Sequence, residues 1–502
     1  MADKACNEVV TVANMPMTVF DMISAMQNKY ADRVAFRYVE GKDTVVEKTY
    51  AQYVQDIRKV TGYLQQELGE PKGKKIVVLS RTNYEYGAVV FGTMMAGAVI
   101  VTLNQGKTWA ELEHELGMME PDLIFNDGID YGYRAQLEAL YGARLRPMDA
   151  WTAAPEAEMV NRIDHEGLLM LMFTSGTTGR SKGVMLSEKN YFTACQMYID
   201  GQKVIPDQKE RLAPQNLDQT FSHFTLVPMF HLAGFICYFV YGMQGWTLNL
   251  CCDARDLRRD MSLMHSDAMS TPPVLVEMIY NEIKRGHADR LNGLWNLSCS
   301  SAILDPAILS ELVKNGFYIN QCYSMTELAG YGLLNVAQEG DHLRALGKPD
   351  GFCEVKVDEN GEICVRGGCV MLGYYKDPET TAETIDKDGW LHTGDLARVD
   401  EEGYYYMTGR KKNLIILDSG ENVSPEELEK LLGKCDAIKE CIVKEMGKKI
   451  GTVVCCEDDK QQQVKAFVTE LNRTLPMYKR ISVVECSAEP LPRNALGKLL
   501  RK

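Results

Sequence analysis

The chain has 502 residues, 45% of them hydrophobic and 25% charged, with a formal net charge of −14. This length suits two or three folded domains, and the negative charge argues against a nucleic-acid-binding protein. No apolar segment follows Met1 to Lys4, so no signal peptide is expected. The most apolar stretch, residues 227–241, contains Pro228 and falls short of the roughly 20 residues of a membrane span, so it predicts a buried helix.

Helical and strand-like segments alternate through the first part of the chain. Helical periodicity covers residues 17–27, 50–68, 84–95 and 109–119, and apolar strand segments cover residues 35–39, 75–79, 98–103 and 122–125. This alternation predicts an α/β architecture with parallel sheets. Beyond residue 347 or so, the short segments 354–357, 362–366 and 404–407 indicate a small β-rich subdomain, and the helical segments 425–432 and 462–475 indicate a final α+β unit.

Cysteine usage indicates a reducing compartment. The 15 cysteines form no Cys-x-x-Cys motif, and the adjacent pairs at 251–252 and 455–456 suit neither a zinc site nor a usual disulfide. Free, largely buried thiols in the cytoplasm are the simplest interpretation.

Residues 174–183 read Thr-Ser-Gly-Thr-Thr-Gly-Arg-Ser-Lys-Gly and follow a strand-like apolar run at 168–173. Glycines let a backbone turn and approach a ligand closely, and hydroxyls with a lysine suit a polyphosphate. The residues of this candidate phosphate loop are Thr174, Ser175, Gly176, Thr177, Thr178, Gly179, Lys182 and Gly183. It is not a Walker A loop, because Ser181 precedes Lys182 and Gly183 follows it. On this stretch alone, a flexible polar surface loop is an equal alternative.

This run resembles the phosphate loop of the adenylate-forming superfamily, and it is closest to that of acyl-CoA synthetases, with Ser181 where proline is common. The resemblance implies a large N-terminal domain, residues 1–410, made of two α/β subdomains with parallel-rich sheets and a small β-barrel-like subdomain. It also implies a small mobile α+β domain, residues 411–502, with a hinge at Lys412.

Further motifs of the family follow in the same order along the chain. Residues 321–327 resemble the motif Tyr-Gly-x-Thr-Glu, with Ser324 in place of the glycine. The resemblance implies that Glu327 binds Mg²⁺, that Thr326 contacts the α-phosphate and that Tyr323 lies against adenine. Residues 390–395 resemble the ribose motif, in which Asp395 would accept the ribose hydroxyls. The remaining nucleotide contacts implied in this region are Ser301, Ala302, Gln321 and Cys322.

The C-terminal part and residues 228–234 complete the resemblance. Arg410 matches a residue that reaches ribose or phosphate, Gly420 matches the pantetheine loop, and Lys498 matches the lysine between carboxylate and α-phosphate. The segment 228–234 resembles the acyl-pocket and thiol-tunnel motif and contributes His231, Ala233 and Gly234. Alone, each match has an ordinary reading, such as a β-turn, a capped helix start, a tail lysine or a core histidine.

Together these motifs imply an AMP-forming acid–thiol ligase. ATP, Mg²⁺ and CoA would serve the activation of a carboxylic acid through an acyl-adenylate, with Lys498, Glu327, Thr326, Lys182 and His231 as the catalytic set. One alternative is a stand-alone adenylation enzyme that loads an acyl or peptidyl carrier protein through its phosphopantetheine. An alternative of another class is a non-catalytic binder of a nucleotide or an acyl-adenylate. The sequence leaves the acid unnamed.

Overall fold

Packing divides the chain into two units. The first contains residues 1–354 and 365–391, and the second contains residues 355–364 and 392–502. The computed structural model describes residues 10–175, 181–205, 221–300, 304–416, 422–447, 449–493 and 499–500, with the main chain alone at 175, 416 and 422. The predicted hinge residue Lys412 falls within the second unit, in a short 3-10 turn at Lys411–Asn413. The hinge and the boundary at 410 and 411 stay predictions.

The first unit contains two large sheets, whose strands are numbered here in chain order. The first sheet has the spatial order β14 (Gly332–Asn335), β13 (Tyr318–Ser324), β12 (Asn296–Ser300), β11 (Ala268–Thr271), β9 (Ser222–Thr225), β10 (Thr247–Leu250), β1 (Val34–Glu40) and β2 (Thr44–Thr49). The second has the order β17 (Gly373–Tyr374), β8 (Ser181–Leu186), β7 (Met170–Ser175), β4 (Val99–Thr102), β3 (Lys75–Leu79), β5 (Leu123–Asn126) and β6 (Leu145–Pro147). Neighbouring strands inside both sheets are parallel, and antiparallel pairs lie toward the edges, at β1–β2, β13–β14, β7–β8 and β8–β17.

Helices accompany these strands. They are α1 (Val19–Asn28), α2 (Tyr50–Leu68), α3 (Tyr84–Met95), α4 (Trp109–Met119), α5 (Arg134–Tyr141), α6 (Glu188–Gly201), α7 (Leu232–Gln244), α8 (Leu257–Leu263), α9 (Pro273–Lys284), α10 (Pro306–Lys314) and α11 (Pro378–Thr384). Local chemistry sets their ends. Thr49 and Gln52 form a capping box at the start of α2, which ends at Gly69 with a φ of 69°. Among the described helices, none has the length and apolar character needed to cross a membrane.

The eight-stranded sheet has one apolar and one polar face. Phe224, Met269, Leu297 and Ile319 stand side by side on four adjacent strands and are fully buried against the core beneath α9 and α10. Side chains alternate along a strand, so the residues between them point to the opposite face. Two rows cross that face: His223, Ala268, Asn296 and Tyr318, then Thr225, Ser270, Ser298 and Asn320. The helix α7 lies on this side, since Tyr241 stacks on His223 at 4.2 Å between ring centroids.

In its described residues, the second unit contains smaller sheets and two α-helices. Most residues of a four-stranded sheet belong to it, in the order β15 (Glu354–Val357), β16 (Glu362–Arg366), β18 (Leu391–Val399) and β19 (Tyr405–Arg410). A two-stranded sheet pairs β20 (Ile415–Ile416) with β21 (Asn422–Val423), and a three-stranded sheet has the order β22 (Glu440–Glu445), β23 (Ile450–Cys455) and β24 (Val483–Ser487). The helices α12 (Pro425–Leu432) and α13 (Gln461–Thr474) bury Leu428, Leu432 and Val468 in one core.

The predicted fold class is confirmed. The structure has two α/β regions with parallel-rich sheets, a small β-rich region at the predicted positions 354–357 and 362–366, and a final α+β part. The predicted buried helix at 227–241 begins later, at Leu232, because Pro228 and the cap residue His231 form a turn before it. The fourteen described cysteines are free, as predicted.

Candidate active site

The candidate phosphate loop closes an antiparallel hairpin. Thr174 on β7 pairs with Lys182 on β8, and Ser175 pairs with Ser181. Lys182 was expected within a loop, but it lies on a strand, which fixes the position of its Cα. The hairpin's tip, residues 176–180, with Gly176, Thr177, Thr178 and Gly179, lies outside the described residues, as does the Ser175 side chain.

Tyr374 links the hairpin to the predicted metal ligand. Its hydroxyl donates a hydrogen bond to Glu327 Oε1 at 2.9 Å, and Lys182 Nζ lies 4.9 Å from the centroid of its ring. Burial and the nearby Glu327 carboxylate raise the pKa of Tyr374, so its hydroxyl keeps the proton that it donates. Pairing of Tyr374 with Val184 on β8 fixes the position of its Cα. Lys182 and Glu327, 145 residues apart in the chain, therefore belong to one cluster.

The main chain at Glu327 is held in place as well. Thr326 and Glu327 lie in a 3-10 turn at Thr326–Leu328, one residue after the end of β13, and Met371 N–H donates to the Glu327 main-chain carbonyl at 2.9 Å. Ala329 and Gly330 follow with φ values of 52° and 102°. The turn thus reverses the chain despite Ser324, which replaces the family's glycine. A carboxylate on a fixed turn is a suitable oxygen ligand for Mg²⁺, and its several lone pairs allow a metal beside the Tyr374 hydrogen bond.

A second lysine approaches the hairpin. Lys107 Nζ lies 3.4 Å from Ser181 Oγ and forms an ion pair with Glu115, whose side chain is fully buried. Because side chains alternate on β8, Ser181 and Lys182 point to opposite faces of the strand. Lys107 therefore supports the hairpin from the face opposite Lys182.

The other predicted residues of β13 have different surroundings. The amide of Gln321 accepts from Leu304 N–H at 3.2 Å and donates to the Leu343 carbonyl at 2.9 Å, so this side chain holds two main-chain segments. Cys322 is buried, with its Sγ 3.8 Å from Ser298 Oγ, and Tyr323 pairs with Leu333 on β14. Ser301 and Ala302 lie outside the described residues.

In the second unit, the carboxylate that is predicted to bind the ribose hydroxyls forms an ion pair with another predicted site residue. Asp395 on β18 stands opposite Arg410 on β19, and Arg410 Nε lies 2.9 Å from Asp395 Oδ1. Asp395 is buried, whereas Arg410 is 42% exposed. Gly420 and Lys498 lie outside the described residues.

Glu362 holds the chain next to Asp395. It is 2% exposed, accepts from Gly394 N–H at 2.8 Å and from Lys411 Nζ at 3.0 Å, and contacts His392 Nδ1 at 3.3 Å. The carboxylate of Glu362 raises the pKa of Lys411. The sequence analysis missed this residue, because a glutamate at the start of a short strand carries no local signal of such contacts.

His231 lies directly before α7. Its Nδ1 accepts a hydrogen bond from Ala233 N–H at 3.2 Å, and its main-chain N–H donates to the Pro228 carbonyl at 2.9 Å. A Cβ on Gly234 would lie 2.4 Å from the carbonyl oxygens of both Val227 and Pro228, so only glycine fits the turn. The imidazole is thus an N-cap of the helix, a role that its predicted place in the acyl pocket does not exclude.

The comparisons agree with this architecture. The model of the AMP-binding enzyme family matches residues 24–375, and the chain belongs to that family. Among curated relatives, the long-chain-fatty-acid–CoA ligase of Escherichia coli O157:H7 is 26% identical over 97% of this chain and 93% of its own length. The feruloyl-CoA synthase of an Amycolatopsis species is 29% identical over 90% of this chain and 92% of its own.

Solved structures show the same fold. The o-succinylbenzoate CoA synthetase of Bacillus subtilis, in complex with its acyl-adenylate intermediate, has a TM-score of 0.81 at 23% identity, and 96% of each chain is covered. The predicted superfamily is therefore confirmed, and the names of the relatives bear out the predicted enzyme class, an acid–thiol ligase. The role of each site residue stays a prediction.

Proposed function

We propose that this protein activates a carboxylic acid with ATP, releases pyrophosphate, and passes the acyl group from the acyl-adenylate to the thiol of CoA with release of AMP. The observation that carries the proposal is the cluster of Lys182, Tyr374 and Glu327, which sets a cation and a carboxylate beside the hairpin of the phosphate loop. Membership of the AMP-binding family supports the nucleotide chemistry.

The first half-reaction needs charge neutralisation and positioning rather than a base. A carboxylate is ionised at neutral pH and can attack the α-phosphorus directly, so that a P–O bond forms as the bond to pyrophosphate breaks. In the proposal, Lys182 binds the departing phosphates, Thr326 contacts the α-phosphate, and Lys498 offsets the charge where two anions meet. Glu327 would hold Mg²⁺, which supplies further positive charge to the phosphates.

Other residues would bind the nucleotide and the thiol. Asp395 accepts hydrogen bonds from the ribose hydroxyls, while the ion pair with Arg410 holds its carboxylate in place. The second half-reaction then needs the thiol near the acyl carbon, for which the proposal assigns His231, Gly234 and Gly420. A rotation at Lys412 would let one site serve both halves.

The test is pyrophosphate release over short, medium and long fatty acids, aryl acids and amino acids, each with and without CoA. We expect turnover with one class of acid that needs CoA for its full rate and yields AMP and acyl-CoA. Stoichiometric release that CoA does not accelerate would assign a carrier protein as the acceptor. Binding of ATP without release from any acid would contradict the proposal and favour a non-catalytic binder.

A further inference from the structure

Two cysteines of the first unit lie in direct contact. Cys353 Sγ is 3.0 Å from Cys369 Sγ, although the two residues are 16 positions apart in the chain. A disulfide bond is about 2.05 Å long, so the two sulfur atoms need to move only about 1 Å closer to form one. Gly367 makes the contact possible, because a Cβ at its position would lie 2.8 Å from Cys353 Sγ. The fold thus holds two thiols in position for a disulfide.

The two thiols differ in how readily they ionise. The hydrogen bond with the Cys369 thiol, together with one from the Cys369 main chain, lowers the pKa of Cys353. Burial raises the pKa of Cys369 well above its usual range. The thiolate is the form of cysteine that attacks an oxidant, and a neighbouring thiol then resolves the product. Cys353 therefore suits the role of the nucleophile, and Cys369 suits that of the resolving thiol.

Cys353 lies just beneath the surface, whereas Cys369 is fully buried. Cys353 is 7% exposed, and its neighbour Glu354 in the chain is exposed. Gly367, which would contact its sulfur through a Cβ, is exposed as well. A thiol at this depth favours a small oxidant such as hydrogen peroxide over a bulky disulfide.

The segment that carries Cys369 is tied to the candidate active site. Asn190 Nδ2 donates to the main-chain carbonyls on both sides of Cys369, each at 2.8 Å. Two residues further on, Met371 N–H donates to the Glu327 main-chain carbonyl at 2.9 Å. Three residues after that, Tyr374 donates to the Glu327 carboxylate. A shift of Cys369 therefore acts on both the main chain and the side chain of the predicted metal ligand.

We propose that Cys353 and Cys369 form a reversible disulfide when a peroxide is present, and that this bond lowers the activity of the enzyme by displacing Glu327. The Cys353 thiolate attacks one oxygen of hydrogen peroxide: an S–O bond forms, the O–O bond breaks, and the departing hydroxide takes up the proton that Cys353 lost. The Cys369 sulfur then attacks the sulfenic acid, an S–S bond forms, and a second water leaves. A dithiol reductant reverses the change by thiol–disulfide exchange.

The first test maps the bond and needs no measurement of activity. The full chain is treated with hydrogen peroxide, and the remaining thiols are alkylated. Trypsin then cleaves after Lys356 and Arg366, which separates the two cysteines from each other and from Cys364. Mass spectrometry should find a linked pair of peptides that joins Cys353 to Cys369 and that dithiothreitol separates. Oxidation that leaves these peptides unlinked would overturn the inference, whatever becomes of the proposed function.

The second test measures pyrophosphate release before and after oxidation. A displacement of about 1 Å at a positioned group can cost on the order of 100-fold in rate, so we expect oxidation to lower kcat/KM by about 10-fold or more. The Mg²⁺ concentration for half-maximal activity should rise, and dithiothreitol should restore both values. A linked pair with unchanged kcat/KM would overturn the connection to Glu327. If no acid releases pyrophosphate, the proposed function fails, and the mapped bond alone decides the inference.

Serine variants assign the effect to this pair of thiols. Cys353→Ser and Cys369→Ser should each form no linked pair, and peroxide should leave kcat/KM of each within about 3-fold of its value before treatment. Cys252→Ser changes a half-buried thiol of the same unit and should respond to peroxide as the wild type does. An equal loss of activity in the wild type and in both variants of the pair would assign the oxidation to another thiol and overturn the inference.

Discussion

The hydroxyl of Tyr374 donates a hydrogen bond to Glu327 across 47 residues of sequence. Tyr374 also places its ring 4.9 Å from the ammonium group of Lys182. One aromatic side chain thus contacts the two charged residues on which the proposed chemistry depends. It orients the carboxylate directly, whereas its contact with the lysine is a cation–π interaction.

Tyr374→Phe should impair the first half-reaction while the fold stays intact. The change removes a hydrogen bond to a charged group, which contributes about 1.5–3 kcal/mol, so we expect kcat/KM for pyrophosphate release to fall by roughly 10- to 100-fold. The Mg²⁺ concentration for half-maximal activity should rise, which a merely structural defect would not produce. Tyr375→Phe, at the next position, is the matched control, and an equal loss in both variants would contradict this role.

Lys107→Met should destabilise the first unit strongly. It would leave the fully buried Glu115 carboxylate without its partner, and removal of one member of a buried ion pair costs about 3–5 kcal/mol. Denaturation by urea measures the effect. The double variant Lys107→Met with Glu115→Leu should recover most of the loss. The exposed pair Arg134–Glu138 gives the control, since Arg134→Met should leave the free energy of unfolding almost unchanged.

Asp395→Asn should weaken ATP binding more than turnover. In the proposal, the ribose hydroxyls keep the same contacts with Asp395 in the ground state and the transition state, so loss of a charged acceptor should raise KM for ATP by about 10-fold or more with a smaller change in kcat. Initial rates at varied ATP measure both constants. Asp458→Asn, on the surface of the same unit, should match the wild type. An unchanged KM in Asp395→Asn would assign the ribose to another residue.

The stability of the protein should depend on pH through His223. Burial lowers its pKa to about 3, below the value near 6.5 of an unfolded histidine, so the unfolded state binds the proton more readily. The contribution of the neutral ring is therefore complete above pH 6.5 and is lost as the pH falls toward 3. Between pH 7 and pH 5, the loss of this contribution amounts to about 2 kcal/mol.

Urea denaturation at pH 7 and pH 5 tests this linkage. The wild type should lose about 2 kcal/mol more than His223→Leu between these two values. His114→Gln, which changes an exposed histidine on α4, should keep the wild-type dependence because it still contains His223. Parallel pH profiles for the wild type and His223→Leu would show that the ring is not buried as the structure describes.

Several elements follow from local sequence alone. The predicted segments 50–68, 75–79, 84–95 and 109–119 coincide with α2, β3, α3 and α4. Apolar periodicity together with caps such as Thr49 and Gly69 determines such elements, because the burial pattern and the helix ends depend on neighbours in the chain. The family motifs also marked Lys182, Glu327 and Asp395, and the family itself is confirmed.

Only the tertiary structure decided how these residues meet. Tyr374 contacts Glu327, Lys107 approaches Ser181, and Glu362 holds Gly394, all through pairs distant in sequence whose side chains have no local signature. Lys182 was expected in a loop because glycines surround it, but strand pairing with Thr174 overrides that local preference. The sequences of short strands likewise do not reveal the polar face under α7. Alternation of side chains shows that the two faces of a strand differ, but it does not show which face a helix covers. The sequence determined the family and most elements, whereas long-range packing decided which side chains share a site.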